Sequence, residues 1–222
     1  MSEPLKAEPD CVVCGLKANF SCTGCLNTHY CGKACQKKHW SEHKGPCKSS
    51  PIYLKNQEVA KLKKTIKEQE VSLGVEHEDT LASVNDLGSL LQDQGKLAEA
   101  EPFYRRALEG LERTLGRDHP NTLTSVNSLG LLLQAQGKLA EAEPFFRRAL
   151  EGQERTLGRD HPDTLTSVSN LGMLFQALEK LAEAEQFFRR ALEGLERTLG
   201  VEHPSSRRTA ENLRFILNSS RR

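Results

Sequence analysis

Seven cysteines, Cys11, Cys14, Cys22, Cys25, Cys31, Cys35 and Cys47, lie near the N-terminus of the 222-residue chain, and the rest of the sequence has none. They form the pairs Cys-x2-Cys, Cys-x2-Cys and Cys-x3-Cys, and His43 completes a fourth as His-x3-Cys. Thiolate and imidazole are the donors zinc takes in tetrahedral sites, and a gap of two or three residues lets one tight turn aim both donors at one ion. Eight donors fill two such spheres and leave no open position for an activated water, so the spacing predicts two structural zinc ions and no catalytic one. An odd number of thiols cannot close wholly into disulfides, which fits metal binding in a reducing compartment. His39 is a rival imidazole, but His43 reaches Cys47 through the short turn Lys44-Gly45-Pro46 and is the preferred ligand.

The apolar residues available to position these donors are few: Val12, Val13, Leu16, Phe20, Leu26, Tyr30 and Trp40. So small a core cannot offset chain ordering, whereas structural zinc contributes roughly 10–16 kcal/mol in small fingers at neutral pH. The run Tyr30-Cys31-Gly32-Lys33-Ala34-Cys35-Gln36-Lys37-Lys38-His39-Trp40-Ser41-Glu42-His43-Lys44, after two Cys-x2-Cys pairs, resembles the MYND-type zinc finger. That resemblance implies interleaved ligands, with Cys11, Cys14, Cys31 and Cys35 on one zinc and Cys22, Cys25, His43 and Cys47 on the other. It also implies recognition of short proline-containing peptides through Gln36 and Trp40, although Gly32 stands where the family often has serine. Trp40 serves equally well as the core of the module or as a peptide contact. Lys33, Lys37, Lys38, Lys44 and Lys48 read first as solvated surface and second as a nucleic-acid contact.

Beyond the finger the sequence repeats: Leu81, Leu123 and Leu165 head three similar segments 42 residues apart. A period of this length marks stacked supersecondary units. In the middle unit Val126, Leu129 and Leu133, then Ala142, Phe146 and Ala149, recur at helical spacing on either side of a turn at Gly137-Lys138, which predicts two antiparallel helices. Gly116 and Gly158 suit helix ends, and Pro120 and Pro162 suit helix starts. Gly130 and Ala142 are expected to let paired helices approach, with Phe146 filling the layer between neighbouring hairpins. Glu179 replaces the turn glycines Gly95 and Gly137, which predicts a slightly different third turn.

The pattern resembles the tetratricopeptide repeat, and the segment GKLAEAEPFYRRALEGLERTLGRDHP resembles the kinesin light chain variety. The expected fold is mainly α: a double-zinc finger over 1–50, a half-repeat helix over 51–80, three repeats over 81–206, and a capping helix and tail over 207–222. The half-repeat is read from Thr65 to Gly74, which align with Ala107 to Gly116, and it predicts a finger held with limited freedom at the N-terminal end of the stack. The resemblance implies that first helices line a concave groove through Asn85, Asp86, Ser89, Gln92 and Asp93; Asn127, Ser128, Leu131 and Gln134; and Ser169, Asn170, Met173 and Gln176. These positions hold no lysine or arginine, so a carboxylate-clamping groove is not reproduced. Their amides can both donate to and accept from a peptide backbone. Arg105-Arg106, Arg147-Arg148 and Arg189-Arg190, near Glu99, Glu101, Glu141 and Glu143, read as surface ion pairs. His77, His119, His161 and His203 recur at one position in a connecting loop, which predicts a role in the turn.

With 31 basic and 30 acidic residues the formal charge is +1, which gives no global field toward nucleic acid or anionic membranes. No apolar run approaches the roughly 20 residues that span a bilayer, and Met1 to Asp10 lack a signal-peptide core. The sequence therefore predicts a soluble intracellular protein, cytoplasmic with nuclear presence allowed. Its expected role is a non-catalytic adaptor that binds other proteins through short peptide motifs. The rivals are a regulatory relative of finger-containing methyltransferases without their catalytic domain, and a weak nucleic-acid binder. Native mass spectrometry of the full chain is expected to show two zinc ions. Their removal by a chelator should collapse the amide dispersion of residues 11–47 and leave the repeat helices intact.

Overall fold

Each recurring loop histidine turns out to start a helix. The structure is a computed structural model that describes residues 20–21, 29–30, 36–37, 39 and 51–219. The chain divides into two units, 1–64 and 65–222. In the first, strands β1 (Phe20–Ser21) and β2 (His29–Tyr30) pair antiparallel, with Phe20 opposite Tyr30 and Ser21 opposite His29. Each strand is followed in sequence by a cysteine of the spacing pattern, Cys22 and Cys31. Helix α1 (Pro51–Ser72) has residues in both units.

The second unit holds three hairpins and a final helix. They are α2 (Glu78–Asp93) with α3 (Leu97–Thr114), α4 (Pro120–Ala135) with α5 (Leu139–Thr156), α6 (Pro162–Ala177) with α7 (Leu181–Leu199), and α8 (Pro204–Ser219). Nδ1 of His77, His119, His161 and His203 accepts the N–H two residues on, at 3.2–3.3 Å, so each imidazole caps the first turn of its helix. This satisfies one of the four N–H groups that a helix start leaves unpaired. Proline follows at the first position of α4 and α6, where its missing N–H removes nothing.

Within each hairpin the two helices are drawn together by glycines facing large side chains. A Cβ on Gly130 would stand 2.9 Å from the Phe146 ring, one on Gly172 2.8 Å from Phe188, and one on Gly88 3.1 Å from Tyr104. The Phe146 ring lies against Gly130 of its own hairpin. A second set, Gly110, Gly152 and Gly194, receives Leu81, Leu123 and Leu165 in the same way. The sequence pattern did not single out these later glycines. Phe146, Phe188 and the three leucines are essentially fully buried, as are Ala100, Ala142 and Ala184.

First helices of adjacent hairpins approach one another directly, α2 to α4, α4 to α6 and α6 to α8. Second helices of adjacent hairpins meet through long side chains. First helices therefore form one continuous row, the inner row, and second helices the outer one.

The third turn is a correction. Gly95 and Gly137 have φ of 73° and 77°, and Glu179 takes the same left-handed conformation at 60°. The hydrogen bonds match as well: Gly95 N–H to Gln92, Gly137 N–H to Gln134 and Glu179 N–H to Gln176. The loop keeps its geometry and the glutamate carries the strain, because Lys180 N–H must still reach the Phe175 carbonyl to start α7. A left-handed L-residue costs about 1–2 kcal/mol, less what glycine loses in unfolded-state entropy. Glu179→Gly should therefore raise unfolding stability by about 0.5–1 kcal/mol in urea titrations, and Gly137→Glu should lower it by a similar amount.

Candidate peptide-binding site

The inner row of first helices carries most of the residues expected to hold a partner. Asn85, Gln92, Asn127, Gln134, Met173 and Gln176 are half-buried, and Asp86, Ser89 and Asp93 are exposed. Their hydrogen bonds sort them into two kinds. The Gln92 side-chain carbonyl accepts the Tyr104 hydroxyl at 3.0 Å, and Asn127 Oδ1 accepts Nδ2 of Asn170 at 3.0 Å. Asn170 is only 3% exposed, so its amide braces Asn127 from the next helix and offers little of itself. Ser169 is buried beside Thr209 at 3.4 Å. By contrast, Asn85 Oδ1 and Gln134 Oε1 are buried and find no partner among the described residues.

An unpaired buried acceptor costs about 1–3 kcal/mol. Two of them on one face are a standing demand for donors. Burial also raises the Asp86 carboxyl above its ordinary value, and it raises the Tyr104 hydroxyl.

The outer face is built differently. Arg105, Arg147 and Arg189 pair within their own helices with Glu101, Glu143 and Glu185, each at 2.7 Å. The second arginine of each pair reaches back one hairpin: Arg106 to Glu70 at 2.6 Å, Arg148 to Glu112 at 2.5 Å, and Arg190 to Glu154. Arg113, Arg155 and Arg197 repeat the reach to Glu76, Asp118 and Asp160. Each exposed pair contributes little, but the repeated reach fixes the offset between hairpins. Spacing showed only the pairs within a helix, because partners about 36 residues apart become neighbours only after stacking. Phe175 stacks on Phe187 with ring centroids 5.3 Å apart, and the Arg147 guanidinium lies 5.6 Å above it.

Of the finger residues, Gln36 is helical and half-buried. Trp40 and the eight expected ligands, Cys11, Cys14, Cys22, Cys25, Cys31, Cys35, His43 and Cys47, lie outside the described residues. Among the described residues no three His, Cys, Asp or Glu side chains gather as a metal site, and no helix is long and apolar enough to cross a membrane.

Stacked helical hairpins with a first-helix inner face define an α-solenoid of the protein-interaction class. The tetratricopeptide repeat family model matches residues 79–154 and 124–197, and the chain belongs to that family. The ZMYND11/ZMYD8, MYND zinc finger model matches residues 11–47, a span that opens on Cys11 and closes on Cys47. MYND fingers bind zinc, and seven thiols with one imidazole are a donor set that suits this ion.

Over 50 residues the chain is 38% identical to Protein CBFA2T2 of Xenopus laevis, which covers 22% of this chain and 8% of that protein. The chain thus spans less than a tenth of the length of this curated relative. Among solved structures, kinesin-light-chain-type, nearly identical TPR-like repeats from Podosopora anserina are 26% identical with a TM-score of 0.63. That similarity covers 82% of this chain and 87% of the other. BtubC (BKLC) from P. vanneervenii shares the fold at 22% identity and a TM-score of 0.64, covering 75% of this chain and 66% of the other. The chain is a MYND zinc finger followed by kinesin-light-chain-like tetratricopeptide repeats.

Glu101 fastens the first hairpin to the second. It accepts Gln136 Nε2 at 3.0 Å and Arg105 Nη2 at 2.7 Å, and Lys138 Nζ stands 3.4 Å away. These contacts, the Gln136 bond first, lower its pKa from 4.5 to about 2. A carboxyl depressed by folding stabilises the native state above its unfolded value and loses that contribution as pH falls through the folded one. Glu101→Gln should therefore be less stable than the parent at pH 7 by about 1 kcal/mol, allowing for solvent screening. Urea titrations at stepwise lower pH should show the gap closing between pH 4.5 and about 2.

Proposed function

We propose that this protein is a non-catalytic adaptor that joins partners through short peptide segments. The inner face of the first helices holds an extended peptide. The finger holds a proline-containing motif beside Gln36 and Trp40, on a module built around two zinc ions. Cys11, Cys14, Cys31 and Cys35 hold one ion, and Cys22, Cys25, His43 and Cys47 hold the other, with the finger occupying residues 1–50 and the repeats 81–206. Membership of the tetratricopeptide repeat family and the MYND finger both support an interaction role.

The observation that carries the groove is the pair of buried, partnerless acceptors Asn85 Oδ1 and Gln134 Oε1 on that face. Backbone N–H groups of an extended peptide are donors of the right kind, and they bring no sequence requirement with them. Two binding surfaces on one chain raise the local concentration of one partner near the other.

A peptide-display selection against the full chain tests the reading. Peptides recovered on the repeats should bind the double variant Asn85→Ala/Gln134→Ala about five- to a hundredfold more weakly, since each lost bond contributes about 0.5–1.5 kcal/mol. Removing residues 1–50 should eliminate proline-containing peptides and spare the others. Recovered peptides that bind the groove variant as tightly as the parent would overturn the groove assignment.

A further inference from the structure

Between α2 and α4 the inner face opens into a cavity of about 180 Å³. Its polar wall consists of Glu78, Asn85 and Asp86 from α2 and Asn121, Thr124 and Ser125 from α4, and Ala82 and Leu111 supply apolar wall. Ser125 is 2% exposed, and its hydroxyl finds no partner among the described residues. Asn85 Oδ1 is in the same condition. The Thr124 hydroxyl already donates to the Pro120 carbonyl and the Asn121 amide to Glu78, so the groups that remain are a buried hydroxyl, a buried amide oxygen and two carboxylates, a set dominated by acceptors.

The carboxylates are particular to this place in the stack. Pro120 and Ser128 stand at the positions of Glu78 and Asp86 one repeat later, and Pro162 and Asn170 stand there in the next. Helices α2, α4 and α6 hold no lysine or arginine. Glu78 is engaged by the Asn121 amide, whereas Asp86 is desolvated, which raises its carboxyl above the ordinary value. A carboxylate that has lost part of its hydration gains from a counter-cation.

We propose that this cavity is a subsite for a cationic side chain, lysine or arginine, of the peptide held on the first-helix face. The subsite rests on the groove reading above and adds to it a residue preference and a register. An ammonium brings three donors and a guanidinium five, and neither carries an acceptor, which complements the cavity wall. The methylene stem lies along Ala82 and Leu111 while the charged head reaches Asp86, in the way long basic side chains cover apolar surface with their stems. Since one interface alone carries the two carboxylates, a bound peptide is fixed along the stack by where its basic residue falls. Backbone contacts alone would let it slide by one repeat.

The test uses the full chain and acetylated, amidated Ser/Ala heptapeptides with one central Lys, Arg, norleucine or Glu. Each is titrated while the side-chain amide of Asn85 and the backbone amide of Ser125 are followed by NMR. The Lys or Arg peptide should move both resonances with an affinity about tenfold above that of the norleucine peptide, and the Glu peptide should be weakest. The better of the two basic peptides identifies the head group. Asp86→Asn, an isosteric change at an exposed position, should bring the basic peptides down to the norleucine level. Norleucine binding equal to lysine, or an Asp86→Asn variant that keeps the difference, would overturn the subsite and leave the groove reading standing. Failure of every peptide to move any first-helix resonance would overturn both.

Discussion

A backbone stripped of its side chain and pressed against a ring or a leucine sets the spacing of each hairpin. Gly88, Gly130 and Gly172 accept Tyr104, Phe146 and Phe188, and Gly110, Gly152 and Gly194 accept Leu81, Leu123 and Leu165. A mid-helix glycine gives up about 1 kcal/mol of helix propensity, so two per hairpin are retained only because the close approach buries more than that. From this approach follows the rest of the unit. Closely paired helices place first helices side by side along the inner row, and that row carries Gln92, Gln134 and Gln176 at a constant 42-residue interval. Restoring a Cβ at Gly130 would push the Phe146 ring and shift the inner row with it.

Charge is distributed according to the same division of faces. On the outer side arginines and carboxylates neutralise one another across successive hairpins, as in Arg148 with Glu112 and Arg155 with Asp118. On the inner side the first helices themselves carry amides, hydroxyls and a few carboxylates, and no lysine or arginine. On the proposed reading, a partner on the inner row meets the unpaired acceptors Asn85 Oδ1 and Gln134 Oε1, whereas the arginines named on the outer face are already paired.

What could be read from the sequence was whatever is encoded within one repeat. The 42-residue period, the helix ends at Gly116 and Gly158, the starts at Pro120 and Pro162, and the turn role of the four histidines depend on neighbours a few residues away. The half-repeat over 51–73 was legible for the same reason, and α1 occupies it. The candidate site was less legible because it lies between repeats. Asn127 and Asn170 look alike in sequence, yet they belong to adjacent columns, one with Asn85 and Ser169, the other with Asp86 and Ser128. One residue is about 100° around a helix. That rotation turns Asn170 inward onto Asn127 and leaves Asn85 facing the cavity. Ser125 gave no signal at all, since Ser83 and Ser167 repeat it and only the packing of α2 on α4 leaves its hydroxyl unpaired. The finger's ligands were read wholly from donor spacing, which the span of the family match, Cys11 to Cys47, accompanies without assigning a role to any single residue.

The Glu101 contact has a bearing on how such a chain finds its own order. Hairpins this similar in sequence present nearly interchangeable surfaces, and repeat arrays are prone to misassembly for that reason. A chain folding from the middle needs features that tell one neighbour from another. Gln136 answers Glu101, but one repeat later Leu178 stands in its place beside Glu143, so that junction cannot form the same bond. Small departures from perfect repetition thus act as address labels, and a chain made more uniform would risk assembling its hairpins out of sequence.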